Sequence, residues 1–382
     1  PGYHRNPADS CKRSAGVPVC GYLNNDREVY VMMELVIGGS GSGKSAYAEE
    51  AVCREHRQLF KSMRDAPPLY YIADMIPRGP ETERKIEEHR RMREGKGFTT
   101  LEWYLNLPGK LSNMNVPAMA DAAVLFECIS NLTANEMYEP GGAGEGAAES
   151  IIQGVHMLRD RCAHLVVVTN DVFRESIPDT EEMHLYKKNL GRINRELAEL
   201  ADKVTEVVCG IPVSVKSGSR TFGPGGAAGT GNRETQTLFQ QKEQGMEQKA
   251  ERGNLIFVTG GAYQGKSDYA AQLLAKIPGV SEMSDGAVCP LEMTESCGAV
   301  DHFHLFVRRW LQAGKGPQEL IRSTLDKSRD LLIVCDEIGC GLVPVDAFER
   351  EYREAVGRVC TELARYADEV YRVTCGIAVR LR

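Results

Sequence analysis

The sequence predicts an α/β fold, a mostly parallel sheet with helices on both faces, built in two tandem copies. Three observations carry this. Short apolar runs alternate with helical patterns through residues 34–216. A glycine-rich loop follows an apolar strand twice, at Gly38–Ser45 and again at Gly260–Ser267. The block Gly191–Ile211 recurs at Gly357–Ile377, so the second half repeats the first.

The loops come first in the argument. Gly38-Gly39-Ser40-Gly41-Ser42-Gly43-Lys44-Ser45 follows Leu35-Val36-Ile37, and Gly260-Gly261-Ala262-Tyr263-Gln264-Gly265-Lys266-Ser267 follows Leu255–Thr259. Both fit G-x-x-x-x-G-K-[ST] at a strand-to-helix junction. The glycines let successive backbone N–H groups turn toward an anion, and the next helix points its positive end at the same place. Lys44 and Lys266 would neutralise terminal phosphates, and the hydroxyls of Ser45 and Ser267 would ligate Mg²⁺.

The remaining elements follow in order. Strands are expected at Glu34–Ile37, Leu69–Ile72, Ala123–Cys128, Leu165–Thr169 and Thr205–Cys209, with helices at Ser45–Ser62, Glu81–Glu94, Glu149–Arg161 and Glu181–Leu200. The second copy ends in a matching strand through Val373-Thr374-Cys375. Residues 1–31 are polar, hold three prolines and read as a disordered extension, with a domain starting at Met32 or Met33. Residues 32–216 form the full domain, 217–253 a flexible linker and 254–382 a shorter copy. The loop lysines lie 222 residues apart (266 − 44) and the C-terminal blocks 166 apart (357 − 191). The second copy is therefore 56 residues shorter (222 − 166), all lost between its loop and its fourth strand.

Composition narrows the class. The 382 residues are 42% hydrophobic and 26% charged, with net charge −7. That is an ordinary globular balance, with no basic surplus for nucleic acid. No run is long and apolar enough for a membrane span, and a cytoplasmic protein is expected. The twelve cysteines contain no C-x-x-C pair, and Cys128, Cys209, Cys335 and Cys375 sit in apolar runs, so reduced buried thiols are expected. Cys289 and Cys297 flank an irregular segment with nothing that requires them to pair.

Four features of the first domain bear on chemistry. Arg84–Arg93 is a helix crowded with cations around His89. It reads either as a solvated basic face or as an imidazole poised to attack phosphorus, with cations offsetting the charge of the transition state. Glu127 ends a strand where an acid holds Mg²⁺ through water, or alternatively caps the next helix. Thr169-Asn170-Asp171 ends a strand on the same sheet edge, and Phe98-Thr99-Thr100-Leu101-Glu102 follows the histidine helix. In the second copy, alternation in Val300-Asp301-His302-Phe303-His304 suggests two histidines on one strand face. Asp301 and Asp336 are candidate acids there, neither aligning cleanly with Glu127.

Taken in order, these stretches across residues 33–216 resemble the bifunctional adenosylcobinamide kinase / adenosylcobinamide-phosphate guanylyltransferase family. The resemblance implies a RecA-like P-loop domain, often trimeric, so a homo-oligomer is expected. It implies that ATP or GTP phosphorylates the aminopropanol hydroxyl of adenosylcobinamide. GTP then guanylylates a histidine, which maps onto His89, and GMP passes to the cobinamide phosphate. Nucleotide contacts would come from Gly38–Ser45, Arg84, Arg90 and Glu102, with Mg²⁺ on Ser45 and Glu127. In the second copy they would come from Gly260, Gly261, Gly265, Lys266 and Ser267. The family loop V-G-x-G-I-V-P is altered in the first domain, where Phe173 and Glu175 replace both glycines, and kept in the second as Ile338-Gly339-Cys340-Gly341-Leu342-Val343-Pro344. The second domain is expected to bind nucleotide and perform at most the kinase step. The alternatives are a regulatory or assembly module there, and a different small-molecule P-loop kinase in which His89 is only a phosphate-binding cation.

Overall fold

Runs rich in β-branched and aliphatic residues become the central strands of two sheets, and the polar helical stretches cover them. The computed structural model describes residues 32–60, 66–114, 119–174, 180–217, 253–291, 298–325, 330–374 and 376–382. The N-terminal extension, nearly all of the linker, Glu175 and residues 176–178, Cys297 and Cys375 lie outside the described residues.

In the first lobe the chain runs β1 (Met32–Gly38), α1 (Lys44–Phe60), β2 (Leu69–Ala73), α2 (Gly79–Arg93), β3 (Thr99–Glu102), α3 (Leu107–Asn113) and β4 (Ala123–Glu127). It continues through α4 (Ile129–Tyr138), α5 (Ala147–Arg159), β5 (His164–Asn170), α6 (Glu181–Leu200), β6 (Lys203–Val208) and β7 (Ile211–Lys216). The strand order is β3-β2-β4-β5-β1-β6-β7, parallel except for the β6–β7 hairpin. One face packs on Ala48 and Val52 of α1, the other on Ile129, Ile151, Val155 and Leu190.

The second lobe runs β8 (Leu255–Gly260), α7 (Lys266–Leu273), β9 (Ser284–Asp285), β10 (Ala299–Asp301), α8 (Phe303–Gln312), α9 (Pro317–Leu325), β11 (Leu331–Asp336), α10 (Ala347–Tyr366), β12 (Glu369–Thr374) and β13 (Ile377–Arg380). Its order, β9-β10-β11-β8-β12-β13, matches the first lobe with the outermost strand missing. Residues 31–382 form one compact unit, and Val208, Cys209 and Ile211 of the first lobe join the core around Phe303, Val356 and Cys360 of the second.

Two expectations are corrected. The strand expected through Cys209 stops at Val208, and Cys209-Gly210, both at positive φ (48° and 79°), turn the chain into antiparallel β7. The short strand β3 and helices α3 and α4 went unread because their apolar runs are brief. The histidines do not share a strand face. Three-residue β10 ends at Asp301, whose carboxylate accepts from the His302 amide (2.7 Å). His302 then sits at φ 50° before α8, and His304 is a buried residue inside that helix. The i, i+3, i+4, i+7 series Phe303, Phe306, Val307, Trp310 was the helical signal there.

Register also resolves the acid question. Val300 lies opposite Ile333 as Phe126 lies opposite Val167, so Asp301 takes the place of Glu127. Asp336 lies opposite Gly260 as Asn170 lies opposite Gly38, so it takes the place of Asn170.

Candidate active site

The first loop lies at the carboxyl ends of parallel strands, where an open α/β sheet presents its ligand crevice. Gly41 and Gly43 adopt φ of 69° and 87°, a turn closed to side chains with a Cβ at ordinary cost. Helix α1 starts at Lys44, so its unpaired N–H groups face the loop. Lys44 Nζ donates to the Gly39 carbonyl at 3.2 Å. Burial pulls its pKa below the ordinary lysine value, against the opposing pull of Cys128 and Glu127. Burial disfavours the ammonium, and an anion in the cradle would offset that cost.

Strand β4 delivers Glu127 to the same place. Its Oε1 accepts from the Ser45 hydroxyl, and its Oε2 lies 3.5 Å from His89 Nδ1 and 3.3 Å from the Tyr71 hydroxyl. Burial favours the neutral acid, but His89, Ser45 and Lys44 hold the carboxyl down at about 2. Burial likewise disfavours the imidazolium of His89, and Glu127 outweighs it, so the His89 pKa is raised. The structure thus brings His89, Glu127, Ser45 and Lys44 together from α2, β4 and α1.

Two oxygen donors, Ser45 and Glu127, in mutual contact fit the sparse protein share of a Mg²⁺ site, the rest coming from phosphate and water. Among the described residues no cluster of three His, Cys, Asp or Glu side chains could hold a metal alone.

The other expected residues divide. Arg90 pairs with Glu102 at 3.4 Å on the exposed side of α2, and Tyr104 also donates to Glu102 at 3.0 Å. Arg84 is exposed and bonds the Pro80 carbonyl one turn back, while Arg91 pairs with Glu87. Arg93 is the buried cation, its guanidinium 3.4 Å from the centre of the Tyr71 ring. Asn170 donates to Ser130 (2.8 Å), and Thr169 to Asn194 (2.8 Å). Asp171 pairs with Arg174 at 2.6 Å.

Sequence reading missed Asp74, fully buried at the end of β2. Its carboxylate accepts from the Cys128 amide (3.0 Å), its Oδ2 has no hydrogen-bond partner among the described residues, and burial raises its pKa well above the usual carboxylate range. It missed the second lobe's part as well. The Gly339 carbonyl accepts from the Ser40 amide (2.8 Å), and Thr361 of α10 donates to the Gly41 carbonyl (3.1 Å). A Cβ on Gly357 would lie 2.6 Å from the Gly41 Cα. The signal that was available is the retention of glycine at 339 in one copy only.

At the second loop, Lys266 Nζ donates to the Gly261 carbonyl (2.6 Å) and pairs with Asp336 (2.8 Å). Tyr263, in the place of Gly41, is fully exposed. His302 pairs with Asp285 (3.2 Å), and His304 faces the Asp336 amide. Cys128, Cys162, Cys209, Cys335, Cys340 and Cys360 are buried thiols without disulfides.

Comparison with known proteins agrees with this geometry. The profile of the family described as cobinamide kinase / cobinamide phosphate guanyltransferase matches residues 34–215 and 293–381, more than half of the chain. The chain belongs to that family. The second loop itself, Gly260–Ser267, falls between the two matched segments. The bifunctional adenosylcobalamin biosynthesis protein CobU of Salmonella typhimurium is 32% identical over 196 residues, 48% of this chain and all of that protein. The Escherichia coli protein of the same name is 30% identical over the same span, and CobP of Pseudomonas aeruginosa 26% over 186 residues, 48% of this chain and 98% of its own length. The family membership makes this chain a nucleotide-using transferase of phosphorus-containing groups in cobalamin biosynthesis. No helix among the described residues is long and apolar enough to cross a membrane.

Proposed function

We propose that the first lobe carries both steps of the family reaction, with His89 as the guanylyl carrier. The observation that supports this is the meeting of His89 and Glu127 at the mouth of the first loop. In the kinase step the aminopropanol hydroxyl of adenosylcobinamide attacks the γ-phosphorus of ATP or GTP. The γ-phosphorus–oxygen bond breaks, the nucleoside diphosphate leaves and the hydroxyl proton is lost. Lys44 and the loop amides hold the β and γ phosphates. Ser45 and Glu127 would hold Mg²⁺, which when bound neutralises phosphate charge.

In the second step Nδ1 of His89 faces Glu127, which orients the ring and leaves Nε2 to attack the α-phosphorus of GTP. A nitrogen–phosphorus bond forms, the α–β bridge breaks and pyrophosphate leaves. An oxygen of the cobinamide phosphate then attacks the same phosphorus, frees His89 and gives adenosylcobinamide-GDP. Arg90 and Glu102, paired beyond the histidine, would meet the guanosine on this reading.

The second lobe, on this reading, supports rather than turns over. Its loop lysine already has a carboxylate partner, and its α10 leans on the first loop. These contacts favour an assembly role over a second kinase.

Intact mass after incubation with GTP and Mg²⁺ tests the carrier. One GMP is expected on the wild type and none on His89→Ala. No adduct on either protein would sink the guanylyl step and leave a P-loop kinase, whose turnover would then be assayed for corrinoid dependence. An adduct surviving in His89→Ala would move the nucleophile elsewhere.

A further inference from the structure

Helix α2, which carries His89, is poorly anchored by apolar packing in its own lobe. Its sequence, Gly79 to Arg93, holds only Ile86 and Met92 as large apolar residues, and Arg93 is its one buried side chain. A helix without an apolar seam must be placed by other forces. Its own lobe holds its C-terminal half, through His89–Glu127, Arg90–Glu102 and Arg93 on Tyr71, and the second lobe supplies a row of ion pairs along its length. Glu81, Lys85 and Glu88 recur along one face of α2, and Arg350, Glu354 and Arg358 along one face of α10. The two stripes carry opposite charge at each level. Arg350 grips Glu81 through two nitrogens, at 2.7 and 3.0 Å, while its third nitrogen donates to the Pro344 and Val345 carbonyls at 2.9 and 2.6 Å. Lys85 lies 3.5 Å from Glu354. Arg358 bonds Glu88 at 2.7 Å and Glu354 at 2.5 Å.

We infer that α10 of the second lobe is an ionic clamp that holds the histidine helix of the first lobe in place, with Arg350, Glu354 and Arg358 as positioning residues for His89. The inference rests on His89 being the guanylyl carrier. Isolated exposed pairs contribute little, but a bidentate arginine in a network of six charges does more. Glu81 is held down at about 2, first by its bond to Arg350, which agrees with a persistent pair. Small misplacement of a nucleophile costs rate steeply, so the clamp should act on the guanylyl step and spare phosphorylation.

The test uses the full chain with Arg350→Glu, Glu81→Arg and the two combined, and repeats the design with Arg358→Glu and Glu88→Arg. Single-turnover GMP adduct formation should fall about tenfold in each single variant. It should return to within about twofold in the charge-swapped doubles. Phosphorylation of adenosylcobinamide should stay within about twofold throughout. Amide hydrogen exchange across Gly79–Arg93 should quicken in the singles and slow again in the doubles. Unchanged exchange in α2 would overturn the clamp whether or not the wild type forms an adduct. A melting temperature that falls while the adduct rate holds would reduce the pairs to lobe docking and overturn it too. An absent wild-type adduct with clamp-dependent exchange would instead fail the guanylyl reading alone.

Discussion

At the first loop Lys44 donates to a backbone carbonyl at 3.2 Å and feels Glu127 only through space, whereas at the second Lys266 pairs directly with a carboxylate 2.8 Å away. The two loops share a strand, a glycine turn and a helix start, so the local sequence builds both cradles. What differs is the neighbour one strand over, Asn170 in one case and Asp336 in the other. A phosphate entering the first loop meets an under-compensated cation. One entering the second must displace an ion pair and leave a carboxylate beside its own charge. A P-loop pattern therefore specifies a shape, and the surrounding charges decide how well that shape receives an anion.

The same comparison explains the glycines. Gly339 and Gly357 of the second lobe touch the first loop, where a Cβ on Gly339 would run into the Ser40 carbonyl. Their counterparts are Phe173 and Gly191, which lie against each other. Gly191 faces only the Phe173 ring, which a Cβ added there would meet at ordinary contact distance (3.5 Å). The second loop, with exposed Tyr263 at its tip, receives no helix in return among the described residues. The interface between the lobes is head-to-tail, with the second lobe's helix against the first loop.

The largest expected contrast is between the lysines. Lys44→Ala should lower kcat/KM for both steps by about 10²-fold or more, as loss of a charge-stabilising donor does. Lys266→Ala should change either step by less than about twofold. Equal losses would break the asymmetry argued here. Next come the helix glycines, read by thermal unfolding. Gly357→Ala should destabilise by about 1–3 kcal/mol, since α10 must move off Gly41. Gly191→Ala, in the matching turn of α6, should be neutral or stabilise by up to about 1 kcal/mol from helix propensity.

A pH series sharpens the site further. Because Glu127 raises the His89 pKa, the neutral nucleophile accumulates only above the usual histidine range, and adduct formation should rise with pH there. Glu127→Gln should move that rise to lower pH. The stability sign is separate. The raised histidine favours folding fully below its unfolded pKa and stops doing so as pH climbs through the folded value. The depressed Glu127 favours folding above its unfolded pKa and stops as pH falls toward about 2. The pair is therefore most stabilising between the two unfolded values, and chemical denaturation across pH should show that window narrowing in Glu127→Gln. The smallest effect expected is at the free tip. Tyr263→Gly should leave turnover unchanged and alter the melting temperature by about 2 °C at most, as for a surface position.

The sequence by itself determined the parallel α/β class, both loops and the residues that meet at the first. Each of these is written in a local pattern: alternating strand and helix periods, glycines before a lysine, an acid ending an apolar run, a histidine among arginines. Short elements with few apolar residues, such as β3 and α3, escaped because their signal is brief, and β10 was overextended because α8 begins within a run that also alternates. Only the tertiary structure decided that Glu127 serves Ser45 and His89 together, that Asp336 pairs with Lys266, and that α10 backs the first loop and the histidine helix. Those facts join residues 38 to 320 positions apart, and through-space pairing leaves no periodicity in the chain from which it could be read.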